Sequence, residues 1–475
     1  MHRFTLLSTF LLLAHAPLLM ANSIHIAEPY VTIQSAIDAA EDGDTVMVAD
    51  GYYARLGNRD IDFRGKAIVV MSENGPENCI IDGGGSWGDD HRGFIFQNGE
   101  DSTSVLQGFT IQGGYGNGAG IRCSYSSPTI RGNVITGNNR YSDYGDGGGI
   151  YCYYSSPIII ENIISDNWGE DGGGIYCYNS SPVIKDNIIS NNRAWYTALG
   201  GGILCTNNSS PLIEGNTISG NRASDHFWES SYGGGIYCGS GTTIRNNIIT
   251  QNSSYVGGGG IECAGSSITI TGNTIEGNTV YDGPGGGIDC GGNLTIKDNV
   301  ITGNTAANWG GGGIWGSGSL TIEGNTIAGN VTTDISGGGI SCYGSPTIEG
   351  NTIAGNSASL NGGGIYIESN GSPTITNSIL WSNSPDEIYV VGDTVPVTYS
   401  DIQGGWEGEG NIDRVPRFAD PLAGDLSLLP GSPCIDAGDP ASPVPLGGGC
   451  VIDMGASEFR KGFNCRKSAV PDLLE

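Results

Sequence analysis

The chain has 475 residues, 82 of them glycine, and a formal net charge of −29. So acidic a surface repels nucleic acid and bare polyanions. Beyond the N-terminus no apolar stretch is long enough to cross a membrane as a helix.

Residues 1–23 read as a secretory signal. His2 and Arg3 precede an apolar run from Phe4 to Leu13, and Ala21-Asn-Ser23 supplies a cleavage site. The mature protein is therefore expected to be secreted or displayed at the cell surface. Residues 24–60 read as an N-terminal cap. Over 31–42, Ile33, Ala36, Ile37 and Ala40 share one helical face, and Gly43 stops the helix.

Residues 61–383 carry a repeat. Gly-Gly-Gly-Ile-Tyr-Cys at Gly147 to Cys152 returns at Gly172 to Cys177, with looser copies before and after. The isoleucines fall at 121, 150, 175, 203, 236, 261, 288, 314, 340 and 365, at spacings of 25 to 33 residues. A period of this size means a solenoid with one repeat per coil. Apolar residues alternate in short runs, as at Ile150 and Cys152, Ile158 and Ile160, and then Ile164, which is strand periodicity. Three short strands per coil, joined at Gly and Asn corners, make an all-β parallel β-helix. Parallel crossovers are almost always right-handed. About ten regular coils are expected between Gly118 and Asn383, with the ten isoleucines forming one interior stack. A second motif, Asn273-Thr-Ile275-Glu-Gly-Asn278 and its copies, places inward asparagines at corners, where amides can bond up and down the stack.

Eight of the twelve cysteines (123, 152, 177, 205, 238, 263, 290 and 342) share one coil position. Stacked in register about 4.8 Å apart, they lack the geometry of a disulfide and read as buried free thiols. Cys434, Cys450 and Cys465 lie outside this ladder and are the disulfide candidates.

The residue between Ile and Cys points outward. Its column runs Arg122, Tyr151, Tyr176, Leu204, Tyr237, Glu262, Asp289, Trp315, Ser341, Tyr366. Its aromatics suit the apolar faces of sugar rings. Glu262 and Asp289, one coil apart, are the candidate catalytic pair, since two carboxylates at about 5–5.5 Å match a retaining glycosidase. The favoured reading of the same two residues is that they are ordinary surface acids or half of a calcium site. Irregular insertions fall at one corner, between the Asn motif and the glycine triplet. They include Arg140 to Tyr144, Trp168 to Asp171, Trp195 and Trp228. Insertions confined to one edge mark a binding face, so Tyr151, Tyr176, Trp195, Trp228, Tyr237 and Trp315 are the candidate ligand-binding residues. A further outward column, Arg131, Glu161, Lys185, Glu214 and Arg245, reads as a structural charge ladder. Residues 384–459 read as an irregular C-terminal cap and 460–475 as a tail without periodic signal.

Three stretches carry family resemblances. Thr32-Ile-Gln-Ser-Ala-Ile-Asp-Ala-Ala-Glu-Asp-Gly-Asp-Thr-Val46 with Gly51-Tyr-Tyr53 resembles the opening of pectin-lyase-like right-handed β-helix proteins. Ile353-Ala-Gly-Asn356 with the Gly-Gly-Gly-Ile365 that follows is similar to the repeat of polymorphic outer-membrane proteins. Gly431-Ser-Pro-Cys-Ile-Asp-Ala-Gly438 with Asp453-Met-Gly-Ala456 resembles the choice-of-anchor Q segment of bacterial surface proteins. These resemblances imply a β-helix, export and association with the cell envelope. The catalytic signatures of pectate lyases and polygalacturonases are missing, and Asp89-Asp90-His91 lacks the hydrolases' companion motifs.

The preferred reading is an exported, adhesin-like β-helix that binds a polysaccharide or cell-surface glycan without catalysis. The alternatives are a polysaccharide lyase or glycoside hydrolase on the same fold, and a structural envelope or matrix protein. No cofactor is required by this reading, calcium being the one considered, and no nucleic-acid partner is expected.

Overall fold

The computed structural model describes residues 22–26, 31–139, 145–195, 198–224, 231–369, 371–392, 394–445 and 448–459. Nearly all of the segment 1–23 expected to be a signal, the corner at 140–144, Trp228 and the tail from residue 460 lie outside the described residues.

The chain winds into a parallel β-solenoid of about 14 turns. One turn runs through Ile150–Tyr153, Ile158–Ile160, Ile163–Ser165 and Trp168–Gly169 before returning at Ile175. Stacked turns build parallel sheets of 15, 13, 14 and eight strands. There are more turns than the ten expected, because the stack continues where the glycine triplet is lost. Phe94 and Phe96 pair in register with Ile121 and Cys123 at one end, and Ile388 and Val390 pair with Ile365 and Ile367 at the other. The expected three strands per turn are likewise exceeded. The eight-stranded sheet consists of two-residue strands such as Arg193–Ala194 and Arg222–Ala223, too short to show alternation in sequence. Their inward residues are small, and Ala194, Ala223 and Ser254 are all buried.

The ten isoleucines form one continuous interior column, paired in register from Ile121 to Ile365 and all fully buried. No single coil buries enough apolar area to offset its ordering entropy, so each coil depends on its neighbours. The glycine triplet permits the close stacking. Gly147 takes φ 62°, and a Cβ on Gly148 would stand 1.8 Å from the carbonyl oxygen of Trp168 in the next strand.

Two asparagine ladders run along the corners. Asn187 Nδ2 donates to Asn216 Oδ1 at 3.0 Å, and Asn216 Nδ2 donates in turn to Asn247 Oδ1 at 3.0 Å. The second ladder repeats the contact, as from Asn192 to Asn221 at 3.0 Å. These amides occupy buried corners where backbone polar groups would otherwise go unpaired.

All eight ladder cysteines are free and buried, and the sulfurs of Cys238 and Cys263 stand 3.8 Å apart, well beyond a disulfide bond. Cys450 is disulfide-bonded. Cys434, expected as a disulfide candidate, is instead a free buried thiol that donates to Asp401 Oδ2 at 3.0 Å.

One strand frame also differs from expectation. In the run Ile158 to Ile160 the inward residue is Ile159, aligned with Ile130 and Ile184. Three consecutive isoleucines permit either frame, and the neighbouring coils decide it. Ile160 rather than Glu161 therefore occupies the charge column, which begins its alternation at Lys185, Glu214 and Arg245. Glu214 Oε2 accepts from Arg245 Nη2 at 3.0 Å and lies 4.0 Å from Lys185 Nζ.

The expected N-terminal helix forms over Ile33–Ala39, capped by Thr32 and buried through Ile33, Ala36 and Ile37. At the other end Phe418–Asp420 and Asp425–Leu428 pair as an antiparallel ribbon, and Leu428, Cys434 and Met454 pack with Ile379 of the third sheet.

Candidate functional site

The outward column of the isoleucine–cysteine sheet is largely closed over. Tyr151 and Tyr176 are each 8% exposed and Leu204 is 1% exposed, with Leu199 of a neighbouring corner packed against them. Leu199, in the described part of that corner, packs against the column instead of standing clear of it. An open sugar platform at Tyr151 and Tyr176 is therefore replaced by a buried stack, its rings 5.3 Å apart and 21° from parallel. Burial, with the nearby Asp146 carboxylate, pushes the Tyr151 hydroxyl up to about 12. Tyr237 is half-buried and is likewise raised to about 12, by burial and then by Glu262. Trp315 is half-buried, 5.7 Å from the ring of Tyr343, and its Nε1 is buried without a hydrogen-bond partner.

Glu262 and Asp289 are brought together as expected, directly opposite on adjacent strands, but not in an open cleft. A Cβ on Gly257 would stand 2.8 Å from Asp289 Oδ2 and 3.0 Å from Glu262 Oε2, so this loop glycine sits over both carboxyls. Asp289 is 7% exposed. Burial raises its pKa to about 7. Burial, and then the Asp289 charge, raise Glu262 well above the ordinary range. A hydrogen bond between the two carboxyls favours the proton on Glu262, whereas Glu262 Oε2 is buried without a hydrogen-bond partner. The pair is closed over, and burial favours its protonated forms. Among the described residues no cluster of three or more His, Cys, Asp or Glu side chains is placed to hold a metal ion.

Asp146 and Asp171 sit at the same corner. Burial lifts Asp146 to about 7, with Asp171 and Glu170 adding to the shift, and burial raises Asp171. Asp171 Oδ1 accepts from Leu199 N at 2.8 Å, which fixes the loop over the tyrosines. Near the N-terminal end His91 lies between two carboxylates, 2.5 Å from Asp60 and 3.2 Å from Asp89, and ties its loop to the stack.

Two residues further along the same strands stand the half-buried Tyr153 and Tyr178, and the exposed aromatic surface lies at the corner that follows, at Tyr125 and Tyr154. Tyr153 and Tyr178 pair in register and stack at 5.4 Å and 18°. Tyr125 and Tyr154 stack at 5.4 Å and 11°, and are 64% and 47% exposed. Tyr151 supports this platform from inside, 6.3 Å from Tyr153 and nearly parallel to it. The platform is missing from the sequence-derived site residues, although its signal was present. Tyrosine follows cysteine in the first two of the three Gly-Gly-Gly-Ile-Tyr-Cys copies, at Tyr153 and Tyr178, whereas Gly239 follows the third. Trp195 is half-buried and stacks on Trp168 at 5.9 Å and 22°. Trp228 lies outside the described residues.

The right handed beta helix region family matches residues 30–182, 100–238, 145–290 and 235–399. Solved structures of similar fold include the Dettilon tailspike protein, at 16% identity and TM-score 0.38 over 78% of this chain and 68% of that one. The A-module of Azotobacter vinelandii mannuronan C-5 epimerase AlgE6 aligns at 14% and 0.38, over 81% and 95%. Pectate lyase Pel9A aligns at 13% and 0.33, over 92% and 96%. Identities and TM-scores this low carry no argument about activity. No curated protein sequence matches the chain. The resemblance of Gly431 to Ala456 to an anchor segment falls outside the matched residues. With its turns, strand register and repeat motifs in agreement across residues 30–399, the chain belongs to the right handed beta helix region family.

Proposed function

We propose that this chain is an exported or cell-surface β-helix that binds a neutral glycan on the tyrosine platform, without catalysis. The observation that carries this reading is the contiguous tyrosine cluster in which the exposed Tyr125 and Tyr154, at the corner, stack on each other, Tyr154 meets half-buried Tyr153 edge-on, and Tyr153 stacks on half-buried Tyr178 of the sheet. Aromatic rings held in place by a sheet offer flat apolar faces with hydroxyl rims, which match the C–H faces and hydroxyls of a sugar. Little side-chain entropy remains to be lost on binding. The closed acid pair at Glu262 and Asp289 weighs against the glycoside hydrolase reading, because a catalytic carboxylate must reach its substrate.

Glycan-array screening of the full chain, followed by titration calorimetry with the retained glycan, tests the proposal. Tyr125→Ala and Tyr154→Ala should each weaken binding by about 1–3 kcal/mol, with unchanged melting behaviour because both rings are exposed. Unchanged affinity in both variants would place the glycan elsewhere.

A further inference from the structure

The outward face of the third sheet changes character where the C-terminal ribbon crosses it. One outward column runs Glu276, Thr302, Ala328, Ala354 and Trp381, each in register with the next. Its middle carries only methyl groups, and a Cβ added to the corner glycines Gly329 or Gly355 beside it would meet nothing within 4 Å. The result is a smooth trough four strand spacings long, about 19 Å, with a carboxylate at one end and an indole at the other.

The ribbon walls this trough into a cleft of about 960 Å³, within the range of small-ligand sites. Val415, Phe418, Leu422 and Leu426 form the facing wall. Leu422 is fully exposed and Val415 largely so, which leaves apolar surface open to water. Of the described lining side chains, those able to hydrogen-bond gather at the two ends. Glu276 and Thr302 stand on neighbouring coils at one, the Trp381 indole and Ser382 at the other. Arg417 adjoins Phe418, which packs with Trp381 against one apolar cluster, so Arg417 belongs to the Trp381 end. Its Nη1 donates to Gly431 O at 3.0 Å, and a guanidinium has further edge N–H groups for a carboxylate. The middle of the floor offers no hydrogen bond. The N–H groups of Gly329 and Gly355 there are taken by Ala354 O and Trp381 O.

A sugar or a peptide laid along this floor would bury hydroxyls or amides without partners. A methylene chain has no such groups to satisfy. We propose that the cleft is a second binding site, separate from the tyrosine platform, for a single-chain fatty acid. The acyl chain lies along Ala328 and Ala354, and Arg417 holds the carboxylate. The trough has about the reach of an extended myristoyl or palmitoyl chain. Charge fixes the direction, because Glu276 repels a carboxylate from the far end.

The test is titration calorimetry of the full chain with myristate below its micelle concentration, octanoate, myristyl alcohol and a blocked apolar hexapeptide. Myristate should bind one per chain and about tenfold or more tightly than octanoate, because each further buried methylene adds affinity. It should also bind more tightly than the alcohol, which brings no charge to Arg417. Ala328→Trp fills the trough and should weaken myristate binding about tenfold or more. Arg417→Gln should remove the preference for the acid while leaving the alcohol's affinity unchanged. The chain-length comparison needs no variant and holds even if Ala328→Trp disturbs the cap. Equal affinity for myristate and octanoate, undiminished myristate binding by Ala328→Trp, or binding of the hexapeptide in place of myristate overturns the proposal. Loss of neutral-glycan binding in Tyr125→Ala bears only on the platform, so the two sites fail separately.

Discussion

Replacing Asn216 by alanine tests whether the amide ladders hold the coils together. Asn216 is 1% exposed. Its Nδ2 donates to Ile184 O at 2.9 Å, Glu214 O at 3.1 Å and Asn247 Oδ1 at 3.0 Å. Its Oδ1 accepts from the backbone N and the Nδ2 of Asn187, at 2.9 and 3.0 Å. Asn216→Ala takes all five contacts away and leaves the buried Asn187 N–H without its acceptor. An unsatisfied buried donor costs about 1–3 kcal/mol. With the loss of the carbonyl contacts and a small cavity, the total comes to roughly 3–5 kcal/mol. Asn74 is the control. Its exposed Nδ2 bonds Asp50 Oδ1 at 3.0 Å, and its removal should cost no more than about 0.5 kcal/mol. Urea unfolding followed by circular dichroism should show a large fall in midpoint for Asn216→Ala and almost none for Asn74→Ala. Amide exchange should speed up first in the coils on either side of residue 216, because solenoid coils are coupled mainly to their neighbours. A loss below about 1 kcal/mol for Asn216→Ala would refute the ladder argument.

Two further outcomes follow from the buried groups. Asp289 is raised from 3.8 to about 7, and Glu262 is raised as well, so the folded protein holds protons that the unfolded chain releases. The pair's contribution to stability is then full below about pH 4 and falls as pH rises toward 7. Glu262→Gln should flatten this part of the melting-temperature profile between pH 4 and 8 and raise stability at neutral pH. An identical pH profile for the variant and the parent would contradict the protonation of the buried pair. Burial pushes the Cys342 thiol up to about 12, and its ladder neighbours are equally enclosed. A thiol-specific reagent should therefore leave the native ladder unmodified and titrate all eight cysteines after unfolding without reductant. Ladder disulfides found by mass spectrometry would contradict the geometry.

The isoleucine column and the free-thiol ladder were legible in the sequence because a stacked coil repeats its interior residues at a fixed period. The same logic fails where periodicity is absent. The two-residue strands Arg193–Ala194 and Arg222–Ala223 are too short to alternate, so the sheet that brings Arg193 to Arg222 left no pattern to read. Ile158, Ile159 and Ile160 are chemically equivalent, and only the register with Ile130 and Ile184 settles which one points inward. The site was read less well than the fold. Tyr151, Tyr176 and Glu262 do face away from the core column, but their accessibility depends on the path of the corner segments around Leu199 and Gly257, which no period specifies. Tyr153 and Tyr178 escaped notice because they follow the repeat motif instead of lying within it.

Binding without turnover is the central claim, and one experiment reads both parts of it. The glycan retained by the full chain is incubated with the parent protein and with the Tyr125→Ala/Tyr154→Ala and Glu262→Gln variants, and affinity, reducing ends and unsaturated products are measured together. The account predicts tight binding by the parent and by Glu262→Gln, weakened binding by the tyrosine variant, and no product from any of them. Product formed by the parent and abolished by Glu262→Gln would contradict it.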